Sequence, residues 1–117
     1  MVVFILLLMA VRGAAEAALE ILAEYEEEIS TRPEMLDLKG AALCGIGRYE
    51  EALACFEQAL SLSQEGTALQ RSILFNRICA LENLREFDRA KELAAEYLEK
   101  YPDDERMRRE NQFLETR

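Results

Sequence analysis

The stretch from Leu36 to Leu62, LDLKGAALCGIGRYEEALACFEQALSL, constrains the fold of this chain more than any other. Its apolar residues recur at the spacing of amphipathic helices on either side of the break at Gly45-Ile46-Gly47. Because the connection is short, the two helices must run antiparallel. Gly40 of the first helix then faces Ala52 and Phe56 of the second, and small residues stand where the axes come closest. The stretch therefore predicts a closely packed helical hairpin.

The composition favours one all-α domain. Half of the 117 residues are hydrophobic, and only five are Gly and two Pro, which excludes a linker-dominated chain. The length suffices for one core and not for two. The net charge of -9 disfavours binding to nucleic acid or to anionic membrane surfaces, because both repel an acidic protein.

The cysteine and histidine content argues against a metal site and against enzyme activity. The chain has three cysteines, Cys44, Cys55 and Cys79, without CxxC spacing, and it has no histidine. We therefore expect neither a zinc site nor a disulfide framework, and no metal or other cofactor. Since no histidine is present to activate a thiol, we expect no enzyme activity. Buried, reduced thiols fit a cytoplasmic protein.

Further helices are predicted on both sides of the hairpin. An amphipathic pattern covers residues 14–29, with glutamates along its polar face. Capping-box spacing at Thr31 and Glu34, and again at Thr67 and Gln70, predicts the starts of two more helices. Pro33 fits the first turn of the earlier one. A third pair of helices follows the central hairpin.

A last, mostly polar helix is predicted to run to about Thr116. Asp103 or Asp104 can cap its start. It has three apolar residues to bury, which are Met107, Phe113 and Leu114. We expect a solubilising cap.

The first eleven residues, MVVFILLLMAV, leave three interpretations open. The run stops at Arg12 and is too short for a transmembrane helix, which needs about 20 apolar residues. A signal peptide is one alternative, although no basic residue precedes the apolar core. The other is the first helix of a repeat. Its apolar surface would then have to be buried against another surface. Our preferred hypothesis for that helix is an interface, with a second copy of the chain or with a partner.

The chain has an internal period. Ala18, Ala52 and Ala90 occupy equivalent positions, 34 and then 38 residues apart, and similar turn sequences precede each of them. The longer interval implies an insertion of one turn near residues 64–70. The predicted single domain, 1–117, thus contains repeats at about 1–33, 34–66 and 67–104, with a capping helix at 103–116.

The central copy resembles the tetratricopeptide repeat. The matching positions are Leu36, Gly40, Leu43, Gly47, Tyr49, Ala52, Phe56, Ala59 and Leu60. The resemblance implies a right-handed α-solenoid of antiparallel helix pairs, in which the first helix of each pair lines a concave groove. It also implies a protein-protein interaction scaffold.

Carrying the groove positions of that family onto this chain gives a set of candidate partner-binding residues. They are Val3, Leu7, Ala10, Val11, Asp37, Leu38, Ala41, Cys44, Phe75, Asn76, Cys79, Glu82 and Asn83. The subgroup that binds acidic chaperone tails uses basic residues and Asn where this chain has Val3, Leu7, Leu38 and Ser72, so that ligand is not expected. An apolar floor edged by Asp37 and Glu82 should prefer an apolar peptide or helix with a basic residue. Alternatively, Val3, Leu7 and Cys44 are core residues of a tightly curled array.

Three functions remain open from the sequence. The leading one is an interaction scaffold that binds a peptide or amphipathic helix of another protein. The second is a chaperone or assembly subunit that masks an apolar helix of one dedicated partner. The third is an envelope protein, exported if residues 1–15 are a signal segment.

Overall fold

The computed structural model describes residues 13–117, and every regular element in that range is a helix. The helices are α1 Gly13–Ala23, α2 Glu26–Ile29, α3 Pro33–Gly45, α4 Tyr49–Leu62, α5 Ala68–Asn83, α6 Phe87–Lys100 and α7 Glu105–Glu115. From α3 onward each helix packs on the next one in the chain; in addition, α1 packs on α3, and α3 on α5. This order of contacts is that of an α-solenoid built from hairpins.

The hairpin of α3 and α4 is the best packed unit. Ala52, Phe56 and Ala59 have no exposed surface, and Leu36 and Leu43 of α3 lie against them in the same core cluster. Gly40 is buried at the crossing, directly against the Phe56 ring. Full burial of a phenylalanine contributes about 2–3 kcal/mol. The predicted hairpin and its close approach at Gly40 are confirmed.

The turns that close α3 and α5 have the same geometry with different residues. Gly47 has a φ of 81°, and the Arg48 N–H donates across it to the Leu43 carbonyl at 2.9 Å. In the next hairpin Arg85 has a φ of 62°, and the Glu86 N–H donates to the Leu81 carbonyl at 3.0 Å. Both turns satisfy carbonyls at the end of a helix through one left-handed residue. The two turn sequences aligned by the period are therefore structurally equivalent.

Two of the three side-chain caps predicted from the sequence are present in the structure. The Thr67 hydroxyl accepts a hydrogen bond from the Gln70 N–H at 3.1 Å, and Asp104 accepts one from the Met107 N–H at 3.1 Å. The predicted capping box at Thr31 is wrong, because Arg32 is the N-terminal cap of α3 and uses no side chain. The Thr31 hydroxyl instead donates to the Glu28 carbonyl at the end of α2, at 3.0 Å.

The helix predicted over residues 14–29 is interrupted. Glu24 and Tyr25 form a turn between α1 and α2, and their N–H groups donate to carbonyls only three residues back. Carboxylates four residues apart, as at Glu20, Glu24 and Glu28, repel one another along a helix and weaken it there. Ile29 is nevertheless buried beyond the break, in the core cluster of the central hairpin.

A second core cluster joins the last three helices. It consists of Ile78, Leu81, Ala90, Ala94, Tyr97, Met107 and Leu114. The prediction that Phe113 is also buried is wrong, since its side chain is 41% exposed. The Arg117 guanidinium lies over its ring instead, 4.1 Å from the centroid. The extra residues of the third unit lie in the loop 63–67 and in α5, which has 16 residues where α3 has 13.

Candidate protein-binding groove

The groove face is formed by side chains of α3 and α5, the first helices of the two hairpins. Asp37 of α3 accepts hydrogen bonds from Ser72 and Asn76 of α5, at 3.0 and 2.9 Å. These bonds fix the spacing of the two helices. They occupy one acceptor position on each oxygen of the Asp37 carboxylate, and neither Ser72 nor Asn76 brings a positive charge, so a basic ligand can still contact this acid.

Side chains of α7 reach the groove face from the other side. The Arg106 guanidinium lies over the Phe75 ring, 4.3 Å from its centroid, and Phe75 also meets Tyr97 edge to face at 6.0 Å. Further along both helices, Glu110 neighbours Glu82. Since a later residue of α7 meets a later residue of α5, the two helices run in the same direction. Helix α7 therefore takes the place that the first helix of a next hairpin would have.

Glu82 is in an unfavourable environment. Its Oε1 atom is buried and has no hydrogen-bond partner among the described residues. Burial, and then the adjacent Glu110 carboxyl, raise the pKa of Glu82 to about 8. Neither carboxylate can donate a hydrogen bond to the other unless one of them carries a proton.

Those predicted groove residues that the structure describes differ in their solvent exposure. Leu38 is 54% exposed, and Ala41 and Asn83 are also exposed. Asp37, Cys44, Phe75, Asn76, Cys79 and Glu82 are half-buried. Val3, Leu7, Ala10 and Val11 lie outside the described residues. Leu38 and Ala41 thus form the open apolar part, whereas Phe75 and Glu82 lie under α7.

Two clefts of about 390 Å³ each flank α7. The first is lined by Ala68, Arg71, Ser72, Phe75, Asn76, Tyr97, Asp104 and Arg106. The second is lined by Glu82, Asn83, Arg85, Phe87, Phe113 and Arg117. Each cleft includes residues of the groove face, so the face continues past α7 at both of its ends.

A polar network beside the first cleft was not foreseen from the sequence. Arg71 donates to the Tyr97 hydroxyl at 3.1 Å and to Asp104 at 3.0 Å, and the Tyr97 hydroxyl donates to Asp104 at 2.5 Å. Burial alone would raise the pKa of Asp104. Hydrogen bonds from Tyr97, Arg71 and the Met107 N–H nevertheless lower it to about 2. The capping role of Asp104 was predictable from the sequence, but its pairing with Arg71, 33 positions away, was not.

The thiols of the groove are poor nucleophiles. Burial raises the pKa of Cys44 to about 11, and burial together with the Glu82 and Glu110 carboxylates raises that of Cys79 to about 12. All three cysteines are unpaired. At neutral pH the thiols of Cys44 and Cys79 therefore stay protonated.

Comparison with known families gives one match. Residues 33–65 match the family model described as tetratricopeptide repeat. No curated protein and no solved structure matched the chain. The match covers α3, α4 and the turn between them, the unit in which Gly40 meets Phe56. Among the described residues, none of the helices has the length and apolar character needed to cross a membrane.

Proposed function

We propose that this chain, in which residues 33–65 match the tetratricopeptide repeat, is a scaffold that binds a peptide or helix of a partner protein on the face of α3 and α5. Repeats of this type are generally protein-protein interaction modules. The observation that carries the proposal is the exposure of Leu38, at 54%, on the helix that lines the groove. Leu38 and the exposed Ala41 offer an apolar side chain of a partner a place to bury surface.

The structure narrows the expected chemistry of the partner. Both Asp37 and Glu82 were predicted to attract a basic residue, and Asp37 is hydrogen-bonded only by the neutral side chains of Ser72 and Asn76. Glu82 keeps an oxygen without a partner among the described residues, at the edge of the second cleft. We therefore expect apolar contacts near Leu38 and, where the partner has a basic residue, a contact near Asp37, because the raised pKa of Glu82 leaves that carboxyl largely protonated at neutral pH.

The test is capture of partners by the full chain from an extract of its own host, read by mass spectrometry. Leu38→Glu should abolish capture and leave the melting temperature unchanged, since an exposed side chain contributes little to folding. Leu62→Glu is the matched control, because Leu62 is 44% exposed at the end of α4. Equal capture by Leu38→Glu and wild type would contradict the proposal.

The stoichiometry of captured proteins separates two forms of this function. Many weakly held proteins indicate an adaptor. One stoichiometric partner indicates a dedicated chaperone or assembly subunit. Self-association through the apolar run 1–11 stays a prediction, which light scattering over a range of concentrations tests. N-terminal sequencing of the protein from its host tests export, since a mature start near Ala15 would mean a cleaved signal segment.

A further inference from the structure

Helix α1 and the turn after it leave two large apolar side chains uncovered by the rest of the described chain. Ile21 is 60% exposed, and Tyr25, in the turn, is 51% exposed. They lie four residues apart, which is the spacing of side chains on one helix face. Ala15 and Leu22 of the same helix are buried. Helix α1 is therefore packed on one side only, and an apolar face remains on another.

Ile21 and Tyr25 occupy positions that are buried in the next repeat. The 34-residue interval relates them to Cys55 and Ala59 of α4. Cys55 is 9% exposed, Ala59 has no exposed surface, and both belong to the core cluster of the central hairpin. Helix α3, the first helix of that hairpin, contributes to the same cluster. The face of α1 is thus open where the residues described by the structure include no first helix like α3.

The run that precedes α1 has the length and character of such a first helix. The same interval relates residues 1–11 to residues 35–45, all of which lie within α3. All eleven side chains of the run are apolar. Eleven residues would make a helix of about 16 Å, which matches the eleven residues of α1. Only Arg12 separates the run from Gly13, where α1 begins, so the run is tethered beside the face.

We propose that residues 1–11 of the same chain pack along α1 and cover Ile21 and Tyr25, as α3 packs along α4. A second copy of the chain offers the same apolar run, but it must associate from solution, whereas the tethered run is always close to α1. The contact does not depend on the proposed binding of a partner. In this arrangement the run lies beside α3 as α3 lies beside α5, and it borders the candidate groove near Leu38.

Matched substitutions on two sides of α1 test the contact. Ile21 and Ala23 are both exposed among the described residues, so glutamate at either position should be harmless if nothing else covers α1. If the run covers Ile21, Ile21→Glu buries a charge and should lower the melting temperature of the full chain by about 5–10 °C. Ala23→Glu should shift it by less than about 2 °C, because α4 already has Glu57 at the equivalent position. Equal shifts in the two variants would overturn the proposal.

Methyl nuclear Overhauser effects identify what covers the face. In the full chain, the Ile21 methyl groups should give cross-peaks to leucine and valine methyl groups of residues 1–11. A mixture of isotope-labelled and unlabelled chains separates the two sources. Cross-peaks within labelled chains support the proposal, whereas cross-peaks found only between chains would assign the cover to a second copy and overturn it.

The absence of any cross-peak from Ile21 to the run would overturn the proposal as well. Capture of a partner by the same protein would then leave the proposed function intact. Conversely, cross-peaks in a chain that captures no partner would support the contact and contradict the proposed function.

Discussion

Gly40 and Phe56 meet without room for a methyl group where α3 crosses α4. A Cβ built on residue 40 would lie 2.7 Å from Cζ and 2.8 Å from Cδ1 of the Phe56 ring. Real carbon atoms do not approach this closely, so the ring or a helix must move when residue 40 gains a side chain. The size of residue 40 therefore sets the distance between the two helices.

Gly40→Ala should lower the free energy of unfolding by about 1–3 kcal/mol, since overpacking outweighs the better helix propensity of alanine. Urea denaturation followed by circular dichroism measures it. Phe56→Leu in the same chain makes room for the methyl group. The double variant should therefore lose less than the sum of the two single losses, and simple additivity would contradict the contact.

Arg85→Gly should stabilise the protein by about 0.5–1 kcal/mol, because arginine holds a φ of 62° that costs glycine nothing. Arg85→Ala is the control, since it removes the charge and keeps the backbone strain. Gly47→Ala should destabilise the equivalent turn, where φ is 81°. Thermal unfolding measures all three, and a gain in Arg85→Ala as large as in Arg85→Gly would assign the effect to charge.

Asp104→Ala should destabilise the protein by about 1–2 kcal/mol, because α7 loses its cap. It also removes the acceptor of Arg71 and Tyr97. Asp103→Ala, at the exposed neighbouring position, should have little effect. Urea midpoints at pH 7 compare the two variants, and equal losses would argue against a special role of Asp104.

Acid should selectively weaken the wild-type protein through the same residue. The pKa of Asp104 is about 2, below its ordinary 3.8, so its contribution is present above pH 3.8 and is lost as the pH falls toward 2. The stability difference between wild type and Asp104→Asn should therefore shrink over this range. A difference that stays constant from pH 5 to pH 2 would contradict this ionisation.

Thiol labelling should be slow in the native protein. With a pKa of about 11, Cys44 has roughly a hundredfold less thiolate at pH 8 than a thiol of ordinary pKa 9.0, and Cys79 has still less. Mass spectrometry after iodoacetamide treatment should find both unmodified until denaturant is added. Rapid labelling of Cys79 alone would mean that the end of α5 is open in solution.

The sequence predicted those features that depend on local patterns. The break at Gly47, the cap at Thr67 and the close approach at Gly40 each follow from a residue type at a fixed spacing, and the structure confirms them. The cap predicted at Thr31 failed because α3 begins at Pro33 and has Arg32 as its N-terminal cap, so Thr31 lies one residue before the capping position. Residue types locate a helix start only to within one or two residues.

The helices that carry the candidate groove residues were predictable, but the electrostatic environment of those residues was not. The spacing placed Asp37 and Glu82 on the first helices of their hairpins, where the structure also has them. That Asp37 accepts hydrogen bonds from Ser72 and Asn76, while Glu82 meets another carboxylate, depends on contacts between residues 28 to 39 positions apart. A single sequence does not contain these pairings. The same limit applies to Phe113, because its position in the sequence does not tell whether its side of α7 packs against the other helices.

The positive φ of Arg85, compared with that of Gly47, should affect the order in which the two hairpins fold. At Gly47 the chain adopts the left-handed turn without cost, so α3 and α4 can pair early through contacts that are close in sequence. At Arg85 the unfolded chain disfavours the turn, and only the packed core of α5, α6 and α7 compensates for it. We therefore expect the α3–α4 hairpin to form first and the C-terminal half to pack onto it later.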